Sequence, residues 1–219
     1  MTQSDSPFDP VRDAILAEAL KGAAFDGFTP LALERAATDA GRSKAELAAA
    51  FPRGAIDLLR WWSVKADEAA ASAAGEQREP PMKIREKVAA GVEARLAYLR
   101  PHKEAARRAA AFLALPHNAP EAARLVWASA DAIWRAMGDP STDFNFYSKR
   151  AILSGVLSST FARWLGDDGD DEAATRTFLA ARIDNVMQFE KFKARVRDTG
   201  FDPEGMFGWV AKLRYPERR

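Results

Sequence analysis

Apolar positions recur along this chain with the period of an α-helix. Val11, Ile15, Leu16, Ala19 and Leu20 share one face and predict a helix over 11–24, broken by the Asp-Gly-Phe at 26–28. Thr29 is placed to cap a second helix with Pro30 at its first position, and that helix stops at Gly41. Ser43 and Glu46 have capping-box spacing and open a short third helix that ends at Phe51-Pro52. A longer fourth helix runs over 55–74, followed by a polar, proline-bearing loop at 75–81. Further helices are predicted near 83–99, 103–115, 121–137, 144–165 and 172–199, with Gly200 as a C-cap, and a last short one over 203–214. No stretch reads as a strand and no internal repeat is found. The fold expected is all-α: a helix-turn-helix-type three-helix unit, a larger antiparallel bundle and a C-terminal amphipathic helix.

Composition agrees with this pattern. The chain has 219 residues, 47% hydrophobic and 29% charged, enough to bury a core. A net charge of +1 gives no global field toward nucleic acid or membrane. Residues 1–60 hold seven Lys/Arg against nine Asp/Glu, whereas residues 191–219 hold eight against four. The polar, acidic start is unlike a targeting segment, and no run of 18 apolar residues occurs. The location expected is a bacterial cytoplasm.

Catalytic chemistry is poorly supplied. There is no cysteine and there are two histidines, His102 and His117, neither in a helix-borne metal-ligand spacing. No phosphate-binding glycine loop, dinucleotide motif or nucleophile elbow occurs. The run GDDGDDE lacks calcium-loop spacing and reads as the end of one helix and the start of the next. No enzyme activity, metal or cofactor is expected.

The segment around Gly27-Phe28, Thr29, Ala36-Ala37, Gly41, Ser43, Leu47 and Phe51 resembles the DNA-binding half of TetR-type repressors. That resemblance implies a third helix in the DNA major groove and a following ligand-binding and dimerisation domain. The residues argue against DNA here. Glu46 stands where those repressors usually carry a phosphate-contacting threonine, and Ala48 and Ala50 replace aromatic or polar groups. Arg42, Lys44 and Arg53 alone would bind DNA weakly. The division expected is a tail at 1–10, a helix-turn-helix-like region with a degenerate reading surface at 11–52, a helical ligand-binding and dimerisation domain at 53–200, and an amphipathic helix with tail at 201–219.

From Val92 onward the resemblance narrows. The segments ALPHNAP and GDPSTDFNFYSKR, in this order and spacing, resemble the lipid-binding accessory protein family of ubiquinone biosynthesis, over roughly residues 10–200. That family has a TetR-like fold, binds isoprenoid and phospholipid-like molecules and supports the hydroxylase acting on demethoxyubiquinone. The resemblance implies docking of the hydroxylase at Phe146, Tyr147 and Arg150 with Asp143 nearby, although Phe146 stands where the family commonly has tryptophan. Aromatic and arginine side chains suit an interface hot spot, while an aromatic core anchor with a capping aspartate is the alternative.

Phe112, Leu115, Leu125, Trp127, Trp134, Ile152, Val156 and Phe161 spread over several helix faces. They suit either a packed core or the wall of an apolar cavity for a quinone precursor or phospholipid. Helical spacing from Pro203 puts Met206, Phe207, Trp209, Val210 and Leu213 largely on one side, flanked by Lys212 and Arg214. That pattern suits a bilayer interface, here the inner membrane, or packing on the domain or a dimer partner. A homodimer is implied by the TetR-like resemblance. Three readings remain open: lipid-binding accessory protein, ligand-responsive repressor, or a plain dimeric scaffold with no cavity.

Overall fold

In the computed structural model the described residues are 8–141, 144–169 and 171–198. They form nine α-helices and no strand: α1 (Asp9–Asp26), α2 (Pro30–Asp39), α3 (Lys44–Ala50), α4 (Ala55–Gly75), α5 (Ile84–Leu99), α6 (Lys103–Leu113), α7 (Ala119–Ala136), α8 (Phe144–Leu165) and α9 (Ala173–Asp198). A 3-10 turn, Arg100–His102, joins α5 to α6. Two compact units are present, Met1–Leu179 and Ala180–Arg219, and the first holds α1 to α8 with the start of α9. Asp143 and the segment 201–219 lie outside the described residues.

Local chemistry sets the helix ends. Thr29 Oγ1 accepts from the backbone N–H of Ala32 at 3.1 Å, with Pro30 next to it at N1. Ser43 and Glu46 close the expected capping box: Ser43 Oγ accepts from the Glu46 N–H, and Glu46 accepts from the Ser43 N–H. Gly41 turns the chain between α2 and α3 at φ 68°, a conformation that favours glycine. The helix expected from residue 121 begins two residues earlier. There Asn118 anchors the turn, its carbonyl accepting from Glu121 and Ala122 while its side-chain amide donates to the Phe112 carbonyl at 2.9 Å. In the acidic run after α8, Asp171 accepts from the Ala173 N–H and Asp167 from both the N–H and hydroxyl of Thr175. The run therefore serves α9 as a cap.

The core does not part at residue 52. One apolar cluster joins Ile15, Leu20, Phe28, Leu33 and Phe51 of the first three helices and their connections to Leu58, Trp62, Leu96, Leu99, Ala106 and Trp164. The helix-turn-helix-like unit is thus packed as one body with the bundle. Pairwise contacts give the helix directions. Arg53 and Arg60 meet Glu121, and Gly75 meets Ala136, so α4 and α7 run parallel. Asp67 meets Arg95 and Ala70 meets Gly91, so α5 runs antiparallel to α4. No helix among the described residues is long and apolar enough to cross a membrane.

Candidate functional site

Helices α4 to α8 line a partly open cavity of about 460 Å³, within the range of about 300–1,000 Å³ usual for small-molecule sites. Its wall is largely apolar: Leu59 and Trp62 on α4, Val92, Leu96 and Leu99 on α5, Leu125 and Val126 on α7, Leu157 and Phe161 on α8. The space has a sequence cause. Helix α6 presents Ala106, Ala109 and Ala110 to the interior, where larger side chains would fill the volume.

One layer of the wall is polar. Arg95 donates from Nε to Asp67 Oδ1 and from Nη2 to Ser63 Oγ, both at 2.9 Å. Asp67 is buried, and that burial pushes its carboxyl above the usual range despite the opposing Arg95 charge and the nearby Ser129 hydroxyl. Ser129 donates to the Leu125 carbonyl at 3.0 Å. The Trp62 indole N–H is buried without a partner among the described residues.

Of the eight residues expected at a lipid site, Leu125 and Phe161 reach the wall. The other six are elsewhere. Phe112 is half-buried against the main core, Val156 is buried away from the wall, Ile152 is half-buried and Leu115 is exposed. Trp127 lies 6.4 Å from the Tyr147 ring, between centroids. Trp134 donates to the Lys149 carbonyl at 3.2 Å and carries the Lys149 ammonium 5.2 Å from its ring centroid. Both tryptophans therefore serve the α7–α8 contact, because large aromatics fill interhelical space and small residues leave it. Most of the wall lies outside the residues that the sequence singles out. Its one sequence signal is the alanine face of α6, at positions 106, 109 and 110.

The expected docking residues separate in the same way. Tyr147 is 61% exposed, whereas Arg150 is 1% exposed and does not reach the surface. Asp131 and Asp139 draw it inward: Arg150 Nε donates to Asp131 Oδ1 at 2.6 Å and Nη1 to Asp139 Oδ2 at 3.2 Å. The half-buried Phe146 lies between, its ring edge-on to Tyr147 at 5.1 Å. Burial alone would raise the Asp139 carboxyl, but hydrogen bonds from Lys149, Ser141 and Arg150 hold it at about 2.

The third helix offers nucleic acid little. Glu46 is tied into its capping box and pairs with Arg42, and Lys44 pairs with Glu34 at 2.8 Å.

This arrangement, an all-α scaffold with a short helix-turn-helix-like front and a cavity-bearing bundle, is TetR-like. A solved TetR transcriptional regulator from Nitrosomonas europaea superposes with a TM-score of 0.66, covering 80% of this chain and 97% of that one at 21% identity, which establishes the fold.

The sequence relationship is to another family. Residues 119–190 match the COQ9 family model. The bovine ubiquinone biosynthesis protein COQ9 is 36% identical over 56% of this chain and 39% of its own length, and the human one 35% over the same shares. The Drosophila melanogaster COQ9 is 29% identical over 83% of this chain and 57% of its own length. The chain thus spans about two-fifths of the mammalian relatives it matches. These matches bear out the resemblance read from ALPHNAP and GDPSTDFNFYSKR, and the matched region supplies the α7 and α8 walls of the cavity.

Proposed function

We propose that this protein acts in ubiquinone biosynthesis as a non-enzymatic accessory protein. It binds a polyprenylated quinone intermediate, or a related lipid, and presents it to the demethoxyubiquinone hydroxylase. The observation that carries the reading is the apolar cavity of about 460 Å³ between α4 and α8, part of whose wall is COQ9-like sequence. Burying lipid surface there is favourable by about 25 cal/mol per Å² before the costs of binding. The hydroxylase is proposed to dock over Tyr147 and the exposed edge of Phe146. Segment 201–219 is proposed to meet the membrane, and a second copy of the chain to complete a homodimer.

Lipid extraction and mass spectrometry of the purified protein test the central claim. An isoprenoid or phospholipid retained at near-stoichiometric level is expected. A protein that arrives empty and shows no saturable uptake of a short-chain quinone would overturn it.

The TetR-like scaffold also fits a ligand-responsive repressor, since such a protein needs a cavity too. The paired Lys44 and the capped Glu46 oppose that alternative. Sequence-specific, salt-resistant retardation of genomic DNA fragments would restore it.

A further inference from the structure

We infer that the cavity takes its ligand head first, and that Arg95 selects a neutral hydrogen-bond-accepting head, a quinone or phenol carrying an apolar tail. The inference rests on the lipid-binding reading above and adds the head's chemistry and its orientation.

The cavity has one polar end. Arg95 is on the wall with its side chain 15% exposed. Two of its nitrogens are committed, Nε to Asp67 and Nη2 to Ser63. Nη1 has no hydrogen-bond partner among the described residues, which leaves donor capacity on a wall that is apolar apart from Arg95, Ser63, Ser129 and Ser158. The Ser63 hydroxyl accepts from Arg95, so its own proton remains to be donated.

Beyond this layer the bundle is tightly packed. One turn further along α5, a Cβ added at Gly91 would lie 3.3 Å from the Ala70 carbonyl oxygen, from Ala74 Cβ and from Ile133 Cδ1. Such close packing of α4, α5 and α7 leaves little room on that side of Arg95, where Val92 completes the wall, and the head is seated at the polar layer. In the other direction the wall runs over Leu59, Leu99, Ala122 and Leu113, all apolar. A tail leaves that way.

Volume and charge narrow the ligand. About 460 Å³ holds a drug-sized body and not a long polyprenyl chain. The ring and the first part of a tail therefore fill the space, and the remainder of the tail stays outside. Asp67 already neutralises Arg95, so a phosphate or carboxylate head would face a carboxylate that is 2.9 Å from the guanidinium. A neutral carbonyl or hydroxyl uses the spare N–H without displacing that pair.

Three probes with the same tail separate the possibilities: 2-decyl-1,4-benzoquinone, decylbenzene and decyl phosphate, titrated into the full chain by calorimetry. One hydrogen bond from a charged donor predicts that the quinone binds about tenfold or more tighter than decylbenzene. Decyl phosphate should bind more weakly than the quinone. In Arg95→Met the quinone-to-decylbenzene ratio should fall toward one. The double variant Arg95→Met/Asp67→Leu, which leaves no unpaired buried charge, and Ser63→Ala provide the same comparison should the single methionine variant fail to fold. Equal binding of quinone and decylbenzene to the parent, or an unchanged ratio in the folded Arg95 variants, would overturn head selection while leaving lipid binding intact. Preference for decyl phosphate would overturn the neutral head. No binding of any probe would remove the lipid-binding reading itself, and this inference with it.

Discussion

The Arg150 guanidinium lies 3.5 Å from the centroid of the Phe146 ring, and its two aspartate partners come from α7 and from the turn that follows it. A residue whose type suggests a surface contact is instead the internal fastener of that turn. It holds Phe146 from below and leaves Tyr147 outside. Removing the fastener and removing the contact should therefore have different consequences. Arg150→Ala leaves two buried or half-buried carboxylates with one fewer cation, and should cost about 2–3 kcal/mol. Asp131 keeps Arg135 and Asp139 keeps Lys149, which puts the loss at the low end for a broken buried pair. Tyr147→Ala should cost about 1 kcal/mol or less, yet weaken capture of the hydroxylase. Denaturant midpoints and a pull-down with the hydroxylase measure both. Capture unaffected by Tyr147→Ala in a folded protein would place the docking surface elsewhere.

The same turn gives a pH signature. Asp139 titrates at about 2 in the folded protein, below its ordinary value of 3.8. A depressed carboxylate contributes stability that is complete above the ordinary value and lost as pH falls through the folded one. The window is therefore roughly pH 4 down to pH 2, worth about 2 kcal/mol. Asp57, Asp167 and Glu172 are also held low, so the parent alone would show a composite slope. Urea midpoints of Asp139→Asn and of the parent should converge on going from pH 5 to pH 2. Parallel curves would mean that Asp139 is not held down by its cations.

How much of the molecule is legible in its sequence depends on the range over which each signal acts. Capping residues and apolar spacing act within a few residues, so Thr29, the Ser43–Glu46 box and the helix order can be read directly. The motif at 138–150 stands out for a sound reason, since it concentrates partners for one arginine. Whether Arg150 faces out or in depends on Asp131, which lies 19 residues away on another helix. The cavity is less accessible still. Large aromatics draw the eye, but a cavity exists where side chains are small, so Ala106, Ala109 and Ala110 mark the location and Trp127 and Trp134 do not. Arg95 reads as an ordinary helical cation until α4 supplies Asp67 and Ser63.

The alanine face also provides a direct test of the cavity. Ala110→Leu adds a side chain into the space without removing any core contact. It should lower quinone binding at least tenfold while leaving Tm unchanged or slightly raised, as cavity-filling substitutions often do. Thermal melts and calorimetry on the same preparation check both parts. Undiminished binding would show that the ligand sits outside this cavity.

The proposed membrane contact can be tested apart from the proposed ligand binding. Segment 201–219 carries Met206, Phe207, Trp209, Val210 and Leu213 among cations, and residues 191–219 have eight Lys/Arg against four Asp/Glu. Deleting 201–219 should abolish cosedimentation with vesicles rich in anionic phospholipid, and added salt should weaken binding of the parent. Decylquinone uptake in detergent-free buffer should survive the deletion, because the cavity is walled by residues 59–161. Equal cosedimentation of parent and truncated chain would remove the segment from the membrane proposal.

A last test concerns the seam where α4 meets the start of α7. Glu121 is 5% exposed, and three guanidiniums converge on its carboxylate: Arg53 and Arg60 at 3.5 Å and Arg124 at 3.2 Å. Asp57 takes part of the Arg53 charge at 2.6 Å. Glu121→Ala therefore leaves an excess of positive charge along a seam adjoining the cavity residues Leu59, Ala122 and Leu125. The arginines are half-exposed, so water shares the cost, and a loss of about 1–2 kcal/mol is expected at low ionic strength. Repulsion among exposed cations is screened by salt, with a Debye length of about 3 Å at 1 M. The gap in urea midpoint between Glu121→Ala and the parent should therefore narrow as sodium chloride rises from about 0.02 to about 1 M. A gap independent of salt would mean that Glu121 acts through packing and its place in the first turn of α7, and not as the counter-ion of the cluster.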